Sequence, residues 1–582
     1  VKKSSISAVL AALLWCAAPI SASAQAQAPE PQPIISGWAR ALPSLSRNGM
    51  VVSQERTASQ VGLDILKAGG NAVDAAVAVG FALAVTLPRA GNIGGGGFML
   101  VHLAGSAKTV AIDYRETAPA STSRDVFLDE NGAYSAQKAQ SSGLAVGVPG
   151  TVAGLAMAHA RYGSGRFSLA DLIAPAIALA REGVLVDDDL ADSLPHAERR
   201  LGRWPATRKI FFRPDGRVLG RGDRLMQPEL AETLAAIARL GPSGFYEGAT
   251  AERLVAAVAS AGGRMTLEDV RDYRAVEREP VRGRFRGREI LSMPPPSSGG
   301  VHIIQILNVL EGFPLAEWGQ NSARTIHVMA EAMKHAYADR AEHLGDPDFA
   351  TVPVRGLTSP AYAARIRERI SLESATPAKQ IRPGHPHAFE SDQTTHFSVV
   401  DKDGSAVSNT YTLNFSYGLG LVVEGAGFLL NNELDDFAAA PGAANAYGML
   451  GGAANAPGPG KRPLSSMSPT IVLENGEVAL VTGSPGGSRI ITIVLQALLD
   501  MIEHGMNPAE SAISPRVHHQ WSPDELRTER GLSPDTIRLL EGKGHAVRVQ
   551  PTIGSIQTIQ RREGWLYGAS DTRQRGGGAL GY

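Results

Sequence analysis

The chain has 582 residues, with 56 Lys+Arg against 57 Asp+Glu and a formal net charge of -1. With 43% hydrophobic and 19% charged residues it is ordinary globular material, too apolar for disorder over most of its length. The balanced charge argues against a general nucleic-acid binder, which normally shows a basic excess.

Lys2 and Lys3, the apolar run from Ile6 to Ile20, and Ala22-Ser23-Ala24 before Gln25 have the order of a secretory signal cleaved near Ala24, so residues 1–24 are expected to be removed. The run is short for a membrane span of about 20 residues, and no membrane anchor is expected after cleavage. Cys16 is the only cysteine, and the bulky Trp15 before it argues against lipoprotein processing. The mature chain then has no disulfide, thiol nucleophile or thiolate metal site. Residues 25–36 read as a flexible leader, and the destination as periplasmic or secreted.

Ala58, Val61, Gly62, Ile65 and Leu66 recur at helical spacing up to Gly69-Gly70. Asn71 can cap a second helix, Ala72 to Val85, apolar on nearly every face and therefore buried, which Pro88 stops. Phe98 to His102 and Thr109 to Tyr114 read as strands around a turn at Gly105. The glycines of Gly91 to Gly97 do not follow a dinucleotide fingerprint and read as close packing beside the helix. Val152 to Arg274 and Val301 to Ile370 are mostly helical by pattern, separated by the helix-free joint Pro294 to Gly300. Gly384 to Ser391 is polar and breaker-rich, and strands follow it. Helical blocks with sheet segments imply an α/β layered fold.

The informative stretch is Gln393-Thr394-Thr395-His396-Phe397-Ser398-Val399-Val400, then Asp401-Lys402-Asp403-Gly404 and Ser405 to Asn414. Alternation on both sides of the Asp-Gly pair is a hairpin signal. A bulged three-residue loop, with Gly404 left-handed, sets Thr394 opposite Thr412; a two-residue loop sets Leu413 there instead. A threonine hydroxyl is a poor nucleophile without a base beside it. Cleavage before Thr394 would supply one, because the new α-amine, with an ordinary pKa of about 7.7–8.0, accepts a proton near neutrality. His396 lies two residues away on the same strand face, too far for a direct base, and reads as a structural histidine. His518-His519 and His385-x-His387 lack a metal-ligand pattern, so neither a metal nor another cofactor is expected.

Asp113-Tyr114-Arg115-Glu116, the PPPSSGG joint, Gln393-Thr394-Thr395-His396, Tyr411-Thr412-Leu413-Asn414, Leu430 to Phe437, Arg462 to Pro469 and Gly483 to Arg489 together resemble the γ-glutamyltransferase (γ-glutamyltranspeptidase) family of N-terminal nucleophile hydrolases. The resemblance covers essentially the whole mature chain. It implies a four-layer αββα sandwich with two stacked antiparallel sheets. It also implies self-cleavage between Gln393 and Thr394 into a large subunit within residues 37–393 and a small catalytic one, residues 394–582, which stay associated.

In that resemblance Thr394 is the nucleophile that attacks the γ-carbonyl of glutathione or another γ-glutamyl compound. The γ-glutamyl ester formed is then resolved by water or by an amino acid or peptide acceptor. Thr412 orients Thr394, which favours the bulged register. Gly486-Gly487 forms the oxyanion hole. Arg115 with Ser465 and Ser466 receives the donor's α-carboxylate, and Asp436, Glu433 and Asn414 its α-ammonium. Pro441 to Gly452, with Tyr447 inside, resembles a lid over the donor pocket. Two alternatives stand beside this reading: a glutaryl or cephalosporin-type acylase on the same fold, and an exported binding protein that never matures.

Overall fold

The computed structural model describes residues 41–384, 395–440 and 444–582. Thr394 lies outside them, as do the signal and leader segments, nearly all of the stretch from 384 to 391, and positions 441–443 of the candidate lid.

The first helix, Arg56–Lys67, begins at Glu55, whose carboxylate accepts from the backbone N–H groups of Thr57 and Ala58. Asn71 caps Ala72–Thr86 in a capping box with Asp74, and all fifteen residues of that helix are buried, as its all-round apolar pattern requires. The joint from Pro294 departs from expectation at its end. Gly299 and Gly300 already belong to the helix Gly299–Leu310. A Cβ on Gly299 would lie 2.1 Å from the Ser468 hydroxyl, so a glycine is what lets this helix start against the neighbouring chain.

Two seven-stranded sheets carry the fold. In one, the neighbours run Gly578–Gly581, Met50–Ser53, Thr395–Val400, Ala406–Thr412, Gly96–Leu103, Lys108–Tyr114 and Val276–Arg278. In the other they run Ser44–Ser46, Trp565–Ser570, Gln557–Arg562, Glu477–Thr482, Thr470–Glu474, Arg288–Ser292 and Val281–Phe285. Neighbouring strands in both sheets pair antiparallel.

The period-two alternation of strand side chains sorts the apolar residues into three cores. Met50, Val52, Phe98, Leu100 and Val400 meet Leu291, Ile471, Val481 and Ile559 between the sheets. Their immediate neighbours Val51, Met99, Val101 and Val399 point the other way, into a core shared with Ala72–Thr86. From the second sheet, Ile290, Val472 and Leu480 pack with the helices Gly299–Leu310, Ala323–His343 and Ile490–Ile502. The order is helix, sheet, sheet, helix, the expected four-layer αββα sandwich. Among the described residues no helix is long and apolar enough to cross a membrane.

The hairpin takes the bulged form. Thr395 pairs with Tyr411 and Val400 with Ala406. Asp401 N–H donates to Ser405 O (3.0 Å), and Gly404, at φ +89°, donates to Asp401 O (3.2 Å). The Gly91 to Gly97 run does pack closely, but against more than the helix. A Cβ on Gly91 would meet Leu83 O at 2.1 Å, whereas one on Gly95 would meet Thr412 O at 2.0 Å. The run therefore lets one strand and its approach lie flat on the hairpin that carries Thr412.

Candidate functional site

Thr412 ends the second hairpin strand, buried. Its hydroxyl accepts the backbone N–H of Asn414 (2.8 Å), and its carbonyl accepts from Asn92 Nδ2 (2.8 Å). Asn414 stands at φ +70°, a conformation that asparagine tolerates better than most residues. Its Nδ2 donates to Asn432 O (2.9 Å), and its Oδ1 accepts from the Tyr447 hydroxyl (3.0 Å). The ring of Tyr447 stands edge-on to Phe415, with centroids 5.7 Å apart. The candidate lid thus closes onto Asn414 through one hydroxyl, and the oxygen expected to receive an ammonium is engaged there.

Arg115 follows the strand Lys108–Tyr114 and is fully buried. Its Nη1 donates to Glu433 Oε1, its Nη2 to Asp436 Oδ2 (2.7 Å) and Leu464 O (3.4 Å), and its Nε to Pro463 O (3.0 Å). Arg115, expected to take the donor's carboxylate, thus pairs with Glu433 and Asp436, two of the residues expected to take its ammonium. Burial works against the guanidinium charge, but the carboxylates of Glu433, Asp436 and Glu116 more than offset it, and the Arg115 pKa ends above its ordinary value.

Glu116, quoted in the sequence motif but given no role, is a fourth member of this group. Its carboxylate lies 3.9 Å from Arg115 Nη1. Burial pushes its pKa up to about 7, although Arg115 pulls the other way. Burial, together with the charge of Glu116, raises Glu433 well above the ordinary carboxylate range. Two buried carboxyls beside one guanidinium disfavour each other's ionisation.

The serine pair sits beside the same guanidinium, since Pro463 and Leu464 lead directly into Ser465 and Ser466. The PPPSSGG segment braces this turn. Ser465 N–H donates to Pro296 O (3.0 Å), Ser298 N–H to Ser465 O (2.8 Å), and the Ser297 hydroxyl to Met467 O (2.6 Å). Ser465 Oγ accepts from Met467 N–H (3.2 Å), whereas the buried Ser466 Oγ has no hydrogen-bond partner among the described residues.

Gly486 and Gly487 adopt φ +142° and φ +67° at the head of the helix Ile490–Ile502. These are conformations open to glycine, and among the described residues neither N–H has a backbone partner. His396 is the structural histidine the spacing suggested. Its Nδ1 bonds Thr410 Oγ1 (2.8 Å), its Nε2 bonds Ser398 Oγ (3.0 Å), and burial takes its pKa down to about 3.

Sequence reading missed one buried cluster of metal-ligand type, His327, Glu331 and His545, with their ligand atoms within 4.8 Å of one another. His327 and Glu331 stand four residues apart on one face of the helix Ala323–His343, a local signal that sequence reading passed over, whereas His545 comes from a distant segment. His327 Nδ1 and His545 Nε2 bond each other (2.8 Å), and the Lys334 ammonium bonds Glu331 (2.7 Å).

The gamma-glutamyltranspeptidase family profile matches residues 58–581. The chain belongs to the gamma-glutamyltranspeptidase family. It is 54% identical over 533 residues to the glutathione hydrolase proenzyme of Escherichia coli (strain K12), an alignment covering 91% of each chain. Among solved structures it is similar to the cephalosporin acylase of Bacillus halodurans (TM-score 0.83, 28% identity, 96% of this chain and 99% of that one). It is also similar to Helicobacter pylori gamma-glutamyltranspeptidase (TM-score 0.56, 43% identity, 60% of this chain and 97% of that one). Membership of this family makes the chain an enzyme of the N-terminal nucleophile hydrolase fold, as its motifs implied.

Proposed function

We propose that the chain cleaves itself between Gln393 and Thr394 into a large subunit ending at residue 393 and a small one, residues 394–582, that stay associated. The freed α-amine of Thr394 then takes the proton of its own hydroxyl as the oxygen attacks the γ-carbonyl of glutathione or a related γ-glutamyl compound. The N–H groups of Gly486 and Gly487 stabilise the oxyanion. The amine side leaves with a proton, and the γ-glutamyl ester on Thr394 passes to water or to an amino acid or peptide amine. The observation that carries this reading is the hairpin register, Thr395 on Tyr411. This is the register of the bulged loop, the alternative that the sequence pattern joined to Thr412 rather than to Leu413.

The donor's far end is a zwitterion, and the existing ion pairs suit its entry. Its α-carboxylate takes over Arg115, joined by Ser466 and Ser465, while its ammonium takes the Glu433 and Asp436 carboxylates so released, with Asn414 beside them. Every buried charge stays paired throughout. Tyr447 closes the lid over the bound donor. The segment of residues 1–24 directs export, so that the enzyme works in the periplasm or outside the cell.

A second reading, glutaryl or cephalosporin-type acylase, draws on the similarity to the Bacillus halodurans enzyme. A glutaryl group has no ammonium for Glu433 and Asp436, which favours the first. N-terminal sequencing of active protein should return a chain beginning Thr-Thr-His-Phe. Two bands of about 39 and about 20 kDa, apportioned from 61.2 kDa by length, should accompany it on a denaturing gel. Faster turnover of γ-glutamyl-anilide than of glutaryl-anilide decides for the first reading, and the reverse order for the second.

A further inference from the structure

Gln520 is buried at a junction that neither the motifs nor the proposed chemistry uses. Its Nε2 faces three carbonyl oxygens: Tyr447 O (3.2 Å), Gly448 O (3.5 Å) and Ser522 O (3.1 Å). Three acceptors on one side fix the orientation of the amide, so Oε1 points the other way. There it accepts from Ser488 Oγ (2.9 Å) and His518 Nε2 (3.0 Å). His518, kept neutral by burial, therefore carries its proton on Nε2, and its Nδ1 lies 2.9 Å from Thr492 Oγ1.

Ser488 directly follows Gly487, and its carbonyl accepts from the Tyr337 hydroxyl. Tyr447 is the residue whose hydroxyl reaches Asn414. One side chain thus holds the candidate lid by its backbone and the candidate oxyanion turn by a hydroxyl. We propose that Gln520 is a positioning residue that couples closure of the segment carrying Tyr447 to the conformation of the Gly486-Gly487 turn. This rests on the proposed roles of that segment and that turn.

The two halves of the junction can be cut separately. Gln520→Glu keeps size and the acceptor for Ser488, but turns a carboxylate oxygen toward the lid carbonyls. Ser488→Ala frees the turn and leaves the lid contact intact. Gln520→Met removes both. With γ-glutamyl-anilide, Gln520→Glu should raise KM about threefold to tenfold with kcat little changed, as one lost hydrogen bond implies. Ser488→Ala should instead lower kcat by a similar factor, and Gln520→Met should do both. Below about pH 5, where a buried carboxyl takes up a proton and becomes a donor again, the KM defect of Gln520→Glu should shrink.

Hydrogen–deuterium exchange reads the coupling without any substrate. The amides of residues 445–449 should exchange faster in Gln520→Glu and in Gln520→Met, and, to a smaller extent, in Ser488→Ala, which loses only the contact to the turn. Should Gln520→Met fail to mature, the other two variants carry the comparison. Wild-type exchange and wild-type KM in Gln520→Glu would overturn the proposal, and so would a kcat defect with an undisturbed lid. Failure of the γ-glutamyl reading shows separately, as glutaryl preference in the unmodified enzyme.

Discussion

Replacing Arg115 puts the closed charge network to its hardest test. The guanidinium serves Glu433, Asp436 and the carbonyls of Pro463 and Leu464 at once, fully buried. A lysine carries its three donors on one nitrogen and can reach the carboxylates or the two carbonyls, not both sets. Hydrogen bonds to charged groups contribute roughly 1.5–3 kcal/mol each. Losing the fork while keeping the charge should therefore cost donor binding about 3 kcal/mol, or roughly 150-fold in KM. Arg115→Met tests stability instead. Stripping the cation from a buried pair costs about 3–5 kcal/mol when the partner charges remain.

Here the partners can take up protons. Burial already raises the folded-state pKa of Glu116 and Glu433, and without Arg115, which lowers both, they rise further. Carboxyls raised in the folded state favour folding below their unfolded value of about 4.5, and that contribution is lost as pH rises through the folded value. Arg115→Met should thus lose little stability to urea at pH 5 and most of the 3–5 kcal/mol at pH 8. Equal destabilisation at both pH values, or a wild-type KM in Arg115→Lys, would show that the network does not work as described.

Three further outcomes follow from the same geometry. If the summed charge of the carboxylates around Arg115 holds the donor's ammonium, KM should fall as pH rises through about 7, where Glu116 gives up its proton; Glu433→Gln leaves Glu116 and Asp436 beside Arg115, with one like charge fewer near Glu116, so that step should move to more acid pH in initial-rate profiles. Thr412→Val keeps the strand but leaves the Asn414 N–H without its acceptor (2.8 Å), a loss of about 1–3 kcal/mol in unfolding experiments, with a larger fall in self-cleavage if Thr412 orients Thr394. Gly95→Ala would push a methyl to 2.0 Å from Thr412 O, which the backbone on both sides cannot absorb; uncleaved, aggregated chain on a denaturing gel is the expected result, and normal two-band maturation would contradict it.

Much of the outline was legible without coordinates, because it depends on short-range patterns. The apolar, glycine-ended run before Asn71 and the cap itself mark two helices, and both form. Alternation around Asp403-Gly404 marks the hairpin, although two registers were open on pattern alone. The choice between them required the backbone of Gly404 in its left-handed state, with neighbours on both edges of the sheet. The family resemblance likewise named Arg115, Asn414, Glu433, Asp436, Ser465 and Ser466 as candidate site residues, and their donor and acceptor types suit a zwitterion.

What the residue types could not reveal is who pairs with whom. Arg115 and Glu433 are 318 positions apart, and only the folded sandwich brings their charges together fully buried, where each must find a partner. The raised pKa of Glu116, the bond from Tyr447 to Asn414 and the reach of Gln520 to both Tyr447 and Ser488 arise in the same way. They depend on burial and on contacts between distant segments, and neither exists until the layers have closed. Sequence by itself determined the parts and their local shapes; tertiary structure alone decided their electrostatics, because desolvation belongs to the packed whole.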